Sequence, residues 1–141
     1  EQQVEKAVSD GAEVVYRGED IGGNFFPLTV LAGCQESMDV IREETFGPVA
    51  CVLKVGDDAE AIERANNTMY GLAAAVWTRD VERAHKIANS VRAGTVWINC
   101  YDAFDAAAPF GGFKMSGLGR ELGEAALNNY LEDKTVTVAL S

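Results

Sequence analysis

The 141-residue sequence holds one histidine, three cysteines and three prolines. Cys34, Cys51 and Cys100 are widely spaced and form no CxxC pair. That spacing suggests neither a zinc site nor a disulfide framework, and a reducing cytoplasm is the expected setting. His85 is expected on a helix, one residue from an apolar stripe. There it reads as a solvated residue rather than a member of a Ser/His/Asp or Cys/His catalytic set. No metal site with several histidines is available either. Cations are scarce, with Lys plus Arg at 12 against Asp plus Glu at 22, a net charge of -10. A chain this acidic is a poor partner for nucleic acid, whose phosphates need clustered cations. It is equally poor for an anionic membrane surface. Apolar runs extend only a few residues, far short of the roughly 20 that span a bilayer. Residues 1–10 are charged and polar, unlike a secretory leader. The chain opens at Glu1 with no initiator Met, which hints at a fragment or a processed chain.

What is present is ordinary for a globular domain: 48% apolar and 24% charged residues. A domain of this length buries roughly two-thirds of the surface that its unfolded chain exposes. Residues 2–8 read as a helix ending near Gly11, and residues 13–16 as a short strand before Gly18. Residues 20–24 form a turn. Residues 25–31 form an apolar strand in which Pro27 suits an edge or a strand start. Residues 50–55 read as a strand buried on both faces. Asp57 or Asp58 caps the following helix, with Glu60 as its capping-box partner. Residues 72–78 form another strand. Asp80 then caps a helix whose stripe is Val81, Ala84, Ile87, Ala88 and Val91, and residues 95–98 follow as a strand. The expected class is α/β: a mostly parallel βαβαβ sheet with right-handed crossovers, covered by helices. Residues 101–119 are a long glycine- and aromatic-rich loop, of the length that usually carries function. Residues 121–130 are expected to be helical. Residues 134–138, Lys-Thr-Val-Thr-Val, alternate as a terminal strand.

Glycine-rich phosphate loops fail on inspection. Gly117-Leu118-Gly119 opens a GxGxxG whose third glycine position is Leu122, and Gly111-Gly112-Phe113-Lys114 lacks the P-loop frame. These glycines read as turns between elements. Cys34 and Cys100 are the candidate nucleophiles. Cys100 is the better placed, since it opens the long loop, yet a small buried core cysteine is the commoner role. In Glu43-Glu44-Thr45-Phe46-Gly47-Pro48 a carboxylate pair precedes an aromatic ring and a Gly-Pro turn. Such a carboxylate can accept two hydrogen bonds from a sugar diol, and the adjacent Phe46 can pack on a flat ring. A solvated acidic turn is the plainer reading.

Five segments together resemble the NAD(P)-dependent aldehyde dehydrogenase family. The first is the acidic turn, which resembles Glu-Glu-x-Phe-Gly-Pro. The second is Asn66-Asn67-Thr68-Met69-Tyr70-Gly71-Leu72-Ala73, and the third Ala93-Gly94-Thr95-Val96-Trp97-Ile98-Asn99-Cys100. The fourth is Pro109-Phe110-Gly111-Gly112-Phe113-Lys114-Met115-Ser116-Gly117-Leu118-Gly119-Arg120-Glu121, and the fifth runs over residues 130–138. The resemblance implies the second half of a catalytic domain over residues 1–130 and an oligomerisation tail over 131–141. It implies NAD or NADP as cofactor, an aldehyde as substrate, a homo-oligomer and a cytoplasmic location, with neither nucleic acid nor membrane as partner and no metal. Glu44 and Phe46 match cofactor contacts at the nicotinamide ribose and ring. Asn99, Asp102, Phe104 and Phe110 match the wall of the aldehyde tunnel, and Arg120, Glu132 and Lys134 match an oligomer contact. The family's nucleophilic Cys, in a Gly-Gln-x-Cys segment, and its base Glu, in Glu-Leu-Gly-Gly, have no counterpart in these residues. The chain is therefore expected to be inactive alone. A non-enzymatic dimerisation or regulatory module is the alternative. An independent nucleotide-binding protein is disfavoured by the failed glycine motifs.

Overall fold

Helix α1 spans Gln2–Ser9, with Val4 and Ala7 buried on its inner face. It ends at Asp10, and Gly11, at φ +104, turns the chain where a side chain would be strained. This is a computed structural model, and it describes residues 1–140. The chain forms two compact units, Glu1–Asp57 and a second opening at Asp58.

In the first unit β1 (Glu13–Arg17) pairs antiparallel with β2 (Thr29–Ala32), with a bulge between Val14 and Tyr16. Strand β2 pairs parallel with β3 (Val49–Val52), Leu31 opposite Cys51. The central strand is the best buried: Leu31 and Thr29 are fully enclosed. The Thr29 hydroxyl donates to the Pro27 carbonyl at 2.9 Å, which satisfies the one buried polar side chain on this strand. A single helical turn, α2 (Asp39–Arg42), carries Val40 into a core shared with Val4, Ala7, Ala12, Leu31, Cys34 and Met38. An exposed Lys6–Asp39 ion pair links α1 to α2.

The second unit opens with α3 (Asp58–Asn66) and continues through β4 (Ala73–Val76), α4 (Val81–Ser90) and β5 (Thr95–Ile98). Strands β4 and β5 are parallel neighbours, so α4 is their crossover. The Asp80 side chain caps α4 by accepting from the Arg83 N–H at 3.0 Å, as its position in the sequence predicts. Ala84, on the expected stripe, is 2% exposed. Arg83 donates from Nε to Asp58 Oδ1 at 2.8 Å and ties α4 to α3.

Several expectations change. The strands do not form one βαβαβ sheet: β3 takes β2 as its parallel partner, and β4 pairs with β5 in a second sheet. Periodicity marks a strand but not its neighbour, and β2, paired with β1 on one side, leaves its other edge to β3. Strand β3 alternates between half-buried and exposed residues rather than being buried on both faces. Residues 25–28 lie outside the strand, because Pro27 has no N–H for a ladder, and Phe25 is exposed. Residues 121–130 are not α-helical. Leu122 at φ +59 and Gly123 at φ +58 break the helical path, leaving a 3-10 turn over Glu124–Asn129. No strand forms over residues 134–138. Among the described residues no backbone hydrogen bond reaches that segment, and a β-prone sequence needs an edge to pair with. Among the described residues, no helix is long and apolar enough to cross a membrane. No group of three or more His, Cys, Asp or Glu side chains there could hold a metal.

The first-unit core has a pH consequence. Burial, reinforced by the neighbouring Cys34 thiol, pushes the Cys51 thiol up to about 11 from the usual 9.0. Between those values the unfolded chain has released this proton while the folded chain keeps it. The thiol's contribution to stability is thus fully present below pH 9.0 and is lost as the pH climbs toward about 11. Urea midpoints measured from pH 9 to 11 are expected to fall less steeply in Cys51→Val than in the unsubstituted chain. Equal slopes would contradict this.

Candidate functional site

The family-like segments of the second unit prove to be mutual contacts. The Asn66 side chain closes the ends of α3 and α4: it donates to the Ser90 carbonyl at 2.8 Å and accepts from the Arg92 N–H at 2.7 Å. The Gly71 carbonyl accepts from Gly94 N–H at 3.0 Å and from Phe113 N–H at 2.8 Å. The Gly71 N–H donates to the Ser116 hydroxyl at 3.0 Å. Lys114 donates to the carbonyls of Asn66 and Thr68, both at 3.1 Å, beyond the C-terminal end of α3. Desolvation, then nearby Arg92, lowers the Lys114 pKa.

The glycines here are sites of close approach rather than free turns. A Cβ on Gly71 would lie 2.7 Å from the Arg92 carbonyl oxygen, and one on Gly94 only 1.6 Å from that of Gly111. Sequence reasoning read the neighbouring Gly111 and Gly112 as turns between elements. The signal it passed over was a glycine within two residues of the start of each of the strands β4 and β5, where backbones cross.

The loop after β5 carries the expected tunnel residues. Asn99 adopts φ +55 and pairs its carboxamide with Thr78: Oδ1 accepts from the Thr78 N–H and Nδ2 donates to the Thr78 carbonyl, both at 2.8 Å. Trp97, 8% exposed, donates its indole N–H to the Ala103 carbonyl at 2.8 Å. Its ring meets Tyr101 at 5.2 Å and Phe104 at 5.6 Å, and Phe104 meets Phe110 at 5.0 Å, all edge to face. Phe104 and Phe110 are thus brought together, with Trp97 as the support that the sequence reading did not single out. Asp102, at φ +58, stays exposed. Phe110 and Glu121 exchange two backbone hydrogen bonds, which closes the loop on itself.

Arg120 turns inward. It sits over the Phe113 ring at 5.3 Å and donates to the Gly112 carbonyl at 3.0 Å. Beside it lies a cavity of about 300 Å³, lined in part by Ser116, Asn129 and Tyr130, none of them anticipated as site residues. Glu132 and Lys134 are exposed. So is Cys100, whereas Cys34 is buried in the first-unit core. His85 is exposed on α4, as expected.

Glu44 and Phe46 belong to the first unit, on the turn leading into β3. The turn is tight, with Gly47 N–H donating to the Thr45 carbonyl and Val49 N–H to the Gly47 carbonyl, each at 2.8 Å. It leaves Phe46 96% exposed and the Glu44 carboxylate in solvent. Between them the Thr45 hydroxyl oxygen is buried without a hydrogen-bond partner. An exposed ring on the same short turn as an open carboxylate can receive a planar group carrying a diol.

A family model for the aldehyde dehydrogenase family matches residues 1–136. Human mitochondrial aldehyde dehydrogenase is 53% identical over 116 residues, 82% of this chain and 22% of that protein. Human retinal dehydrogenase 2 is 47% identical over 139 residues, 97% of this chain and 27% of that protein. Among solved structures, betaine aldehyde dehydrogenase from Staphylococcus aureus in complex with NAD+ superposes with a TM-score of 0.84 at 39% identity, covering 92% of this chain and 27% of that one. An indole-3-acetaldehyde dehydrogenase complexed with NAD+ gives a TM-score of 0.86 at 43% identity, covering 99% of this chain and 30% of that one. The chain therefore spans between 22% and 30% of the length of these relatives. With its fold and nearly all of its residues matched, the chain belongs to the aldehyde dehydrogenase family.

Proposed function

We propose that these residues are the C-terminal portion of an enzyme that oxidises an aldehyde to a carboxylic acid with NAD(P)+. In this reading residues 1–130 are part of the catalytic domain and residues 131–141 form an oligomerisation tail. The nucleophilic Cys, the thioester it forms with the acyl group and the base Glu belong to residues beyond these 141. The dinucleotide, when bound, supplies the two-electron oxidant. Glu44 accepts hydrogen bonds from the hydroxyls of its nicotinamide ribose, and Phe46 packs beside the ring. Phe104 and Phe110 present an apolar wall to the aldehyde, with Asp102 on the same loop. The segment 134–138 pairs as a strand only against an edge offered by another copy, with Glu132 and Lys134 at that contact and Arg120 holding the loop beside it. The assembly is a cytoplasmic homo-oligomer.

The observation that carries the cofactor role is the turn at 44–46, which holds an open carboxylate and a 96% exposed aromatic ring two residues apart. Two of the similar structures hold NAD+, which supports it. In the full-length protein, Glu44→Gln is expected to slow turnover by about 10- to 100-fold, since a misplaced reacting ring loses its near-attack geometry. Cofactor affinity, followed by fluorescence titration, should change far less. A raised dissociation constant with turnover intact would remove Glu44 from this role.

A further inference from the structure

We propose that Asn99 is a positioning residue, which sets the aromatic wall of Tyr101, Phe104 and Phe110 through Thr78 and does not itself meet the aldehyde. The sequence placed Asn99 in the tunnel lining; its geometry points elsewhere. The β4–β5 ladder ends at Val76 and Ile98. Asn99 extends it by three bonds: its own N–H donates to the Val76 carbonyl at 2.8 Å, and its carboxamide takes both backbone groups of Thr78, also at 2.8 Å. Rotating that amide toward a substrate would break two of these bonds together. The residue also sits at φ +55, a left-handed conformation that asparagine tolerates better than most side chains. That turn carries the chain out of β5 and back over Trp97. There Tyr101 and Phe104 reach the indole ring, and the Ala103 carbonyl accepts its N–H. Phe110 then meets Phe104 edge to face. The wall therefore starts from a pinned, left-handed residue, with Asp102 a second left-handed turn within it. Its use as an aldehyde wall rests on the function proposed above; the pinning does not.

The test begins on the 141-residue chain, whose two tryptophans give two indole N–H signals in NMR. Trp97, 8% exposed, is the probe, and free indole added to the sample is the reference, because Trp77 lies between Val76 and Thr78. Asn99→Gly keeps the left-handed turn open and deletes both side-chain bonds. Hydrogen exchange at the Trp97 indole is expected to accelerate about tenfold, in keeping with the loss of two neutral hydrogen bonds, with the far-UV circular dichroism unchanged. Asn99→Asp, which keeps the acceptor for the Thr78 N–H but sets a carboxylate oxygen against the Thr78 carbonyl, should accelerate exchange at least about threefold and is the second variant if the glycine form does not fold. Unchanged Trp97 exchange in the folded variant overturns the proposal. In the full-length protein, Asn99→Gly should raise KM for a bulky aromatic aldehyde about tenfold, with kcat and the KM for propanal within about threefold. A kcat that collapses equally for both aldehydes would put the carboxamide on the reacting carbonyl and overturn the positioning role. A full-length protein that oxidises no aldehyde would sink the proposed activity, while the Trp97 exchange would still decide the role of Asn99.

Discussion

Alanine at Gly94 is expected to unfold the second unit or to lower its stability by about 3 kcal/mol or more, at or beyond the top of the range for overpacked sites. The added Cβ would stand 1.6 Å from the Gly111 carbonyl oxygen and 2.8 Å from its carbon. Both atoms are backbone, so no side chain can swing aside. Neither strand of chain is free to move. Gly94 is bonded to Gly71, and Phe113, two residues past Gly111, is bonded to the same carbonyl. Relieving the clash would therefore break the point where the segments around 71, 94 and 111 converge. Gly47→Ala is the control, because nothing lies within 4 Å of its Cβ position. Urea midpoints should separate the two variants clearly, with Gly47→Ala near the unsubstituted chain. Matching midpoints for both would show that the crossing is looser than its geometry indicates.

The 141-residue chain by itself is expected to produce no NAD(P)H from aldehydes. It contains neither a Gly-Gln-x-Cys nor a Glu-Leu-Gly-Gly segment, and losing members of such a set lowers rates by roughly 10⁴- to 10⁶-fold. Of its three thiols, Cys34 lies in the first-unit core, Cys51 is pushed up to about 11, and Cys100 is exposed on the loop. Only Cys100 is open enough to substitute. Absorbance at 340 nm, followed with excess aldehyde and NAD+ or NADP+, is expected to stay at the level of the protein-free control. Steady production abolished by Cys100→Ser would show that the covalent chemistry resides in this chain after all.

Local signals in the sequence were enough for most of the helices and strands before residue 99 and for the family, but not for the segments 121–130 and 134–138. The α4 cap at Asp80 and the stripe through Ala84 depend on contacts within one or two helical turns, which side-chain spacing records directly. The acidic turn, too, was legible, because Glu44 and Phe46 owe their exposure to a tight Gly-Pro corner. Strand partners were not legible. Residues 49–52 are equally strand-like whether β2 or β4 lies alongside, and the choice rests on hydrogen bonds between residues about twenty apart. The segment 134–138 shows the same limit from the other side: strong alternation yields no strand without an edge. The meaning of Gly71, Gly94 and Asn99 was likewise decided only in three dimensions. The sequence by itself determined which residues are small or amide-bearing. Tertiary structure decided that two of the glycines admit a crossing backbone and that the amide is spent on Thr78, because each property belongs to atoms brought together by the fold rather than to neighbours along the chain.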